Sequence, residues 1–304
     1  MWIVLALLVV LLMLGGAAIY LLHARRVPVS LVQGTLAHRE LGSAPLARHY
    51  DTYVPRELVP DAPLVIALHG ERQDPAAMRG LIGQALEQQA RVCGFAVAYP
   101  AAQPAGWGSG SPEDIAFIQA MIEAMAVEHA IDVERVYVLG YGSGGQMVYR
   151  LALAVPQQLA GVAAIAASLP IGDAPGPAAG GVAVPMLIIN GTADRLNPFE
   201  GGSGSWFGLA RRDAVRSSMA TAEFFAQRAG ARLQQDDTVS AHQLPKLAPM
   251  RSLWRNPQGV TVVLYALKGG GHVVHQPYVR QPRWLGAMNP GFDVAAQACL
   301  FWQL

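Results

Sequence analysis

Charge and cysteine are both scarce in this sequence of 304 residues. Charged side chains make up 14% of it and the net charge is only +1, so the chain lacks the basic surface typical of nucleic-acid-binding proteins. We therefore predict no nucleic-acid partner. Its two cysteines, Cys93 and Cys299, form no C-x-x-C pair and have no histidine cluster beside them, which argues against a zinc site. We interpret them as buried free thiols; a disulfide between them stays open as the alternative.

One long segment, residues 2–22, contains no charged residue at all. A helix of that length spans the roughly 30 Å core of a bilayer. No basic residue precedes the segment and no suitable cleavage site follows it, which favours an uncleaved membrane anchor over a signal peptide. We predict an anchor over 1–26, with the lipid bilayer as partner, a linker over 27–48 and a globular domain over 49–304. Arg25 and Arg26 follow the apolar run, and this favours a cytoplasmic domain.

Short apolar runs alternate with helical patterns along the rest of the chain. Runs of strand length bounded by glycine or proline are typical of buried parallel strands. Alternation of such strands with helices predicts an α/β fold, with a mostly parallel sheet and helices on both faces. The predicted strands are 49–55, 63–70, 94–100, 135–140, 161–167, 184–190 and 260–267, and the predicted helices are 113–129, 213–230 and the last residues of the chain.

Three motifs follow predicted strands. "VLGYGSGGQM" resembles the G-x-S-x-G turn that carries the nucleophile of serine hydrolases, but Gly142 stands at its centre and Ser143 one place later. "NGTADRLNPFEGG" contains Asp194, and "KGGGHVVH" contains His272. Nucleophile, acid and histidine appear in this chain order in α/β-hydrolases. The motifs therefore predict a serine-hydrolase site with an altered nucleophile position.

Together with "PLVIALHG", "EDIAFIQAMI" and "IDVERVYVLGYGSGGQM", these motifs resemble the esterases of the polyhydroxybutyrate-depolymerase and feruloyl/acetylxylan-esterase group. The resemblance extends from about residue 48 to the end of the chain. It implies an α/β-hydrolase fold over 49–304, cleavage of ester bonds on polymers or small molecules, and no metal or organic cofactor. It also implies a secreted or periplasmic domain, so the side of the membrane stays open.

The resemblance assigns roles to individual positions. Asp194 matches the family's acid and His272 its base. His69 and Gly70 match the start of the oxyanion loop, and the resemblance implies that backbone amides near Gly70 and Glu71 stabilise the oxyanion. Without a gap, the family's serine aligns with Gly142. The candidate site also includes Gly144, which follows in the turn. Two aromatic residues in glycine-rich loops, Trp107 and Trp206, complete it; they either stack on a substrate ring or pack their loops.

The altered turn leaves two functions open. In the first, Ser143 moves to the apex of the turn, flanked by Tyr141 and Gly145, and attacks a carboxylic ester; a loop serine, Ser203 or Ser205, is a variant of the same idea. A large residue such as Tyr141 suits a strained turn badly. In the second, Gly142 occupies the apex, and the chain is a catalytically inactive hydrolase-fold protein that binds esters.

Overall fold

The computed structural model describes most of the chain from residue 33 onwards. The described residues are 33–42, 47–104, 106–107, 112–172, 182–206, 210–236 and 245–304, with 2, 10–11, 13–16, 20–21 and 25–26 near the start. For residues 25–26, 83, 206 and 210–212 only the backbone is described.

A ten-stranded sheet forms the centre of the described part of the chain. Its middle strands are apolar and fully buried, as the continuous apolar runs in the sequence predict. A separate two-stranded hairpin follows the seventh strand. The strands are β1 (Gly34–Leu41), β2 (Arg48–Pro55), β3 (Ala62–Leu68), β4 (Ala96–Pro100), β5 (Ile131–Tyr141), β6 (Gly161–Ile165), β7 (Met186–Gly191), the hairpin β8 (Gly202–Trp206) and β9 (Ala210–Val215), β10 (Arg232–Asp236), β11 (Pro249–Arg255) and β12 (Thr261–Leu267).

The sheet order is β10-β11-β12-β7-β6-β5-β3-β4-β2-β1. The six strands from β12 to β4 run parallel, and two antiparallel strands extend the sheet at each edge. The predicted mostly parallel sheet is therefore confirmed. Ligands of open α/β sheets bind beyond the carboxyl ends of the parallel strands, and β3, β5, β7 and β12 bring the predicted motifs to that edge.

Helices cover both faces of the sheet, because successive side chains of a strand point to opposite sides. In β3, Leu64 and Ile66 pack in one apolar cluster with α3, α4 and α5, whereas Val65 and Ala67 pack in the other with α1, α2 and α6. The helices are α1 (Pro75–Met78), α2 (Gln84–Cys93), α3 (Pro112–His129), α4 (Ser143–Ala154), α5 (Ser218–Arg228) and α6 (Val294–Trp302), with a π-turn (Arg79–Gly83) between α1 and α2 and 3₁₀ turns at Pro156–Gln158 and Arg283–Leu285.

Two predicted boundaries differ from the structure. Residues 34–41, assigned above to the 27–48 linker, form β1, which pairs with β2 over its whole length. The helix predicted over 213–230 begins at Ser218, because residues 213–215 belong to β9 and Ser217 caps the helix by accepting a hydrogen bond from the amide of Ala220.

Near the start of the chain, most of the predicted anchor, residues 2–22, lies outside the described residues. Within the part that the structure describes, no helix has the length and apolar character needed to cross a membrane. A two-residue strand, Arg25–Arg26, pairs antiparallel with Val279–Arg280.

Both cysteines are free thiols, as predicted, and they are neighbours on α2 and α6. Cys299 is buried, as predicted, whereas Cys93 is only half-buried. Burial raises the pKa of the Cys299 thiol to about 12.

Candidate active site

The turn between β5 and α4 has Gly142 at its apex. Its backbone angles are φ 56° and ψ −118°, in a region that side-chain-bearing residues enter only with strain. A Cβ atom placed on Gly142 would lie 3.4 Å from Nε2 of His272 and 3.8 Å from the Cα of Gly70. The side chain of the apex residue would therefore face the histidine and the oxyanion loop, as a hydrolase nucleophile does.

Close backbone packing fixes the register of this turn. A Cβ atom on Gly140 would overlap the carbonyl oxygen of Gly144, and one on Gly144 would overlap the carbonyl oxygens of Leu68 and His69 at the end of β3. Gly140 and Gly144 are the residues two before and two after Gly142. The two positions that must lack a side chain thus flank Gly142.

The shift that would bring Ser143 to the apex does not occur. Ser143 is the first residue of α4, and its Oγ is buried without a hydrogen-bond partner. Tyr141, which would have to flank the shifted apex, is buried, and its hydroxyl donates a hydrogen bond of 2.9 Å to the carbonyl oxygen of His272. The prediction that placed Ser143 at the attacking position is corrected here, because the glycine contacts hold the other register.

Asp194 and His272 form the acid–base pair that the motifs predict. Nδ1 of His272 lies 2.7 Å from Oδ2 of Asp194, and both residues are buried. The other oxygen, Oδ1, accepts hydrogen bonds from the amides of Leu196 and Asn197 at 2.8 and 2.9 Å. An ionised carboxylate with this partner fixes the imidazole proton on Nδ1, which leaves Nε2 as an acceptor facing Gly142.

The loops that carry the acid and the base are joined through their backbones. Ala193 donates its amide to the carbonyl of Gly270, and Gly269 donates its amide to the hydroxyl of Thr192. A Cβ atom on Gly191 would overlap that same Gly270 carbonyl. This close approach explains why glycines precede both Asp194 and His272 in the sequence.

The oxyanion loop follows β3 and is held by the side chain of His69. Nε2 of His69 accepts a hydrogen bond from the amide of Ala102 at 3.0 Å, so its Nδ1 donates to the carbonyl of Gly70 at 2.8 Å. Burial lowers the pKa of His69, which favours this neutral form. The amide of Gly70 donates to Oε1 of Gln73. Gly70 therefore shapes the loop with its backbone, and the supporting roles of His69 and Gln73 were not foreseen.

Two backbone amides occupy the positions from which α/β-hydrolases donate to an ester carbonyl. Ser143 is the first residue of α4, and the first amides of a helix have no acceptor within it. Glu71 follows Gly70 in the loop beside the apex; its side chain is exposed and lies 3.8 Å from that of Arg72. In α/β-hydrolases the amide after the nucleophile and one from this loop form the oxyanion hole.

The predicted aromatic residues have different outcomes. Trp107 is buried, packs against the ring of His69 and donates its indole N–H to the carbonyl of His69 at 2.8 Å. It therefore packs the oxyanion loop and does not present a face to a substrate. The side chain of Trp206 lies outside the described residues. In the neighbouring hairpin, Ser203 is exposed, and the amide of Ser205 donates to the carbonyl of Arg195; neither hydroxyl is hydrogen-bonded to His272.

A third buried histidine, His275, lies against the loop that carries His272. Its Nδ1 accepts a hydrogen bond from the amide of Asn289 at 2.8 Å, and its ring lies against Gly270. Burial lowers its pKa to about 4, and the charge of Asp194 opposes that shift only in part. His275 is thus a neutral support for the loop that carries His272.

Beside the oxyanion loop lies a cleft of about 720 Å³. Most of the side chains that line it are polar or charged. They include Arg48, His49, His69, Glu71, Arg72, Gln73 and Asp74.

Comparisons with known proteins agree with the resemblance that the motifs carry. A model of the phospholipase/carboxylesterase family matches residues 109–206, which include the turn and Asp194. The putative esterase NocK of Nocardia uniformis subsp. tsuyamanensis is 32% identical over 231 residues, 69% of this chain and 64% of NocK. Poly(3-hydroxyalkanoate) depolymerase C of Paucimonas lemoignei is 34% identical over 127 residues, 38% of this chain and 30% of that protein. The chain thus spans less than two thirds of these relatives.

Among solved structures, the acetyl xylan esterase from Aspergillus awamori has the same fold. The match covers 88% of this chain and 99% of that one, with a TM-score of 0.63 and 15% sequence identity. The predicted α/β-hydrolase fold is therefore confirmed.

Proposed function

We propose that this chain, which is similar to esterases of the α/β-hydrolase fold, binds carboxylic esters at the Gly142–His272 site without forming an acyl-enzyme. The observation that carries the proposal is the position of Gly142. In serine esterases the apex side chain makes the covalent bond, and removing a triad serine costs on the order of a million-fold in turnover. A glycine at the apex has no atom that attacks.

The rest of the site supports ester binding. Asp194 and His272 are hydrogen-bonded to each other, and Ser143, next to Gly142, is the first residue of α4. Preorganised amides such as that of Ser143 stabilise the polarised carbonyl of an ester. The charged side chains that line the cleft beside the loop can hydrogen-bond the polar part of an ester, such as an acetylated or feruloylated sugar or a short polyester. Such an ester-bearing small molecule or polymer is the proposed ligand.

Fluorophosphonate labelling of the full-length protein, with the adduct located by mass spectrometry, tests the proposal. We expect no adduct on the wild type and a strong adduct on residue 142 of Gly142→Ser, since the remaining parts of the site are in place. An adduct on wild-type Ser143, lost in Ser143→Ala, would instead establish the alternative of a working esterase with a displaced nucleophile. An unlabelled but folded Gly142→Ser would show that the site does not bind esters.

We also propose that residues 2–22 anchor the domain in a cell membrane as a single helix. The uncharged run and the arginines that follow it support this. The membrane side is undecided between cytoplasm and periplasm, and a pair of C-terminal reporter fusions, each active on one side only, distinguishes them. Recovery of the protein in the soluble fraction would contradict the anchor.

A further inference from the structure

We propose that a water molecule bound between Gly142 and His272 attacks the ester directly, so that the protein is a slow hydrolase with no covalent intermediate. This inference rests on the proposed function, in which the ester binds at this site and no serine attacks it. It assigns to Gly142 and His272 the hydrolysis of the bound ester by direct attack of water, without an acyl-enzyme.

The geometry at the apex gives water a place beside the base. A side-chain Cβ on Gly142 would lie 3.4 Å from Nε2 of His272, in ordinary contact with it and with the Cα of Gly70. Because Gly142 has no side chain, no CH₂OH group fills the space beside Nε2 of His272, and we place the water molecule there. One water needs about 10–15 Å³ and two or more polar partners. Nε2 of His272 is one such partner.

The hydrogen bonds of His272 prepare it for this role. Asp194 accepts the Nδ1 proton at 2.7 Å, and Tyr141 holds the backbone of His272 through its hydroxyl. The imidazole is therefore oriented with a basic nitrogen towards Gly142. A positioned base of this kind contributes about 10²- to 10⁴-fold to a proton-transfer step.

The proposed reaction balances without a cofactor. The water oxygen forms a bond to the acyl carbon while Nε2 of His272 takes one of its protons, and the carbonyl electron pair moves to oxygen. The amide of Ser143 stabilises that oxyanion. As the carbonyl re-forms, the bond to the alkoxy oxygen breaks and the alkoxide receives the proton from Nε2. The products are the carboxylic acid and the alcohol, and His272 is again neutral.

Hydrolysis of phenyl acetate tests the inference, with the intact protein mass followed during turnover. We expect slow turnover by the wild type, without an acetylated species and slower in D₂O than in H₂O. His272→Ala should lower it by about 100-fold or more. Gly142→Ala should lower it by at least about tenfold, because the methyl group occupies the position of the water. Ser203→Ala, a change in an exposed serine of the hairpin, is the matched control and should have no effect.

Alanine at a positive φ costs stability, so a thermal melt must accompany Gly142→Ala. Asp194→Asn provides a second test that does not depend on the apex. Asparagine no longer holds the proton of His272 on Nδ1, so turnover should fall strongly and its dependence on pH should change.

Three outcomes separate the two proposals. Turnover by Gly142→Ala equal to the wild type would overturn the water mechanism. Absence of turnover above His272→Ala, in a protein whose Gly142→Ser variant is labelled by a fluorophosphonate, would overturn it too but leave the ester site intact. An acetyl adduct on Ser143 would overturn the proposed function itself.

Discussion

The turn and the acid–base loops meet at one site, but different interactions hold them. The turn is fixed by backbone packing, at Gly140 and Gly144, where no side chain fits. The acid–base side has backbone contacts too, but it also depends on side-chain hydrogen bonds: Asp194 accepts from two amides and from His272, and Tyr141 donates to the His272 carbonyl. The difference teaches that the apex geometry is independent of the apex side chain, whereas the geometry of the base depends on each of its partners.

The comparison predicts that a serine introduced at the apex is active only with the help of Asp194. In a Gly142→Ser background, esterase activity should rise by roughly a thousand-fold or more over the wild type. Adding Asp194→Asn should remove about 10⁴-fold in kcat, or all of that gain, because the imidazole then takes the wrong tautomer. Steady-state kinetics on phenyl acetate measure both steps. A double variant as active as Gly142→Ser would mean that the acid does not orient the base.

Backbone packing at the turn predicts a large effect on stability. Gly144→Ala should lower the free energy of unfolding by about 3 kcal/mol or more, because the new methyl group overlaps the carbonyls at the end of β3. Gly172→Ala is the matched control: its Cβ meets nothing within 4 Å, and the change should stay within about 0.5 kcal/mol. Urea unfolding of both variants is the measurement, and equal losses would refute the packing argument.

The buried side chain of His275 should make the stability of the protein depend on pH. The pKa of His275 is lowered from 6.5 to about 4 in the folded protein, so the unfolded chain binds a proton at a higher pH than the folded one does. Stability should therefore be complete above pH 6.5 and fall as the pH drops towards 4, by at most about 3 kcal/mol from this group. His275→Gln, whose side-chain oxygen can still accept from Asn289, should flatten that slope in urea unfolding between these pH values. An unchanged slope would assign it to other groups, such as His69, whose pKa is also lowered by burial.

The smallest effect is expected at Tyr141. Tyr141→Phe removes one buried hydrogen bond to the His272 carbonyl and should cost about 1 kcal/mol of stability. In the Gly142→Ser background it should also lower kcat several-fold, because the base is less well held. Loss of stability with unchanged kcat would limit Tyr141 to packing.

Sequence reasoning recovered the parts of the molecule that depend on local patterns. The buried runs around Val65, Leu139 and Ile188 are continuous and apolar, so their strands and the motifs after them could be predicted. β1 was missed because it is an exposed edge strand, whose pattern is set by pairing with β2 and not by burial. β11 alternates more buried and less buried residues over Pro249–Arg255, and this period-two alternation could have predicted the strand.

Within the site, the residue types predicted Asp194 and His272 but not the register of the turn. Four glycines in six residues allow several local conformations, and only the contacts of Gly140 and Gly144 with other backbone segments select one. The same limit applies to Trp107: its position in a glycine-rich loop suited substrate stacking, and only the distant carbonyl of His69 shows that it packs the loop.

The backbone angles of Gly142 have a consequence for heat resistance. With a side chain, the conformation at φ 56° and ψ −118° costs about 1–3 kcal/mol, which a serine hydrolase carries permanently at its nucleophile. Glycine adopts it without that steric penalty. This chain is therefore relieved of a strain that active esterases of the fold bear, and its Gly142→Ser variant should melt several degrees below it.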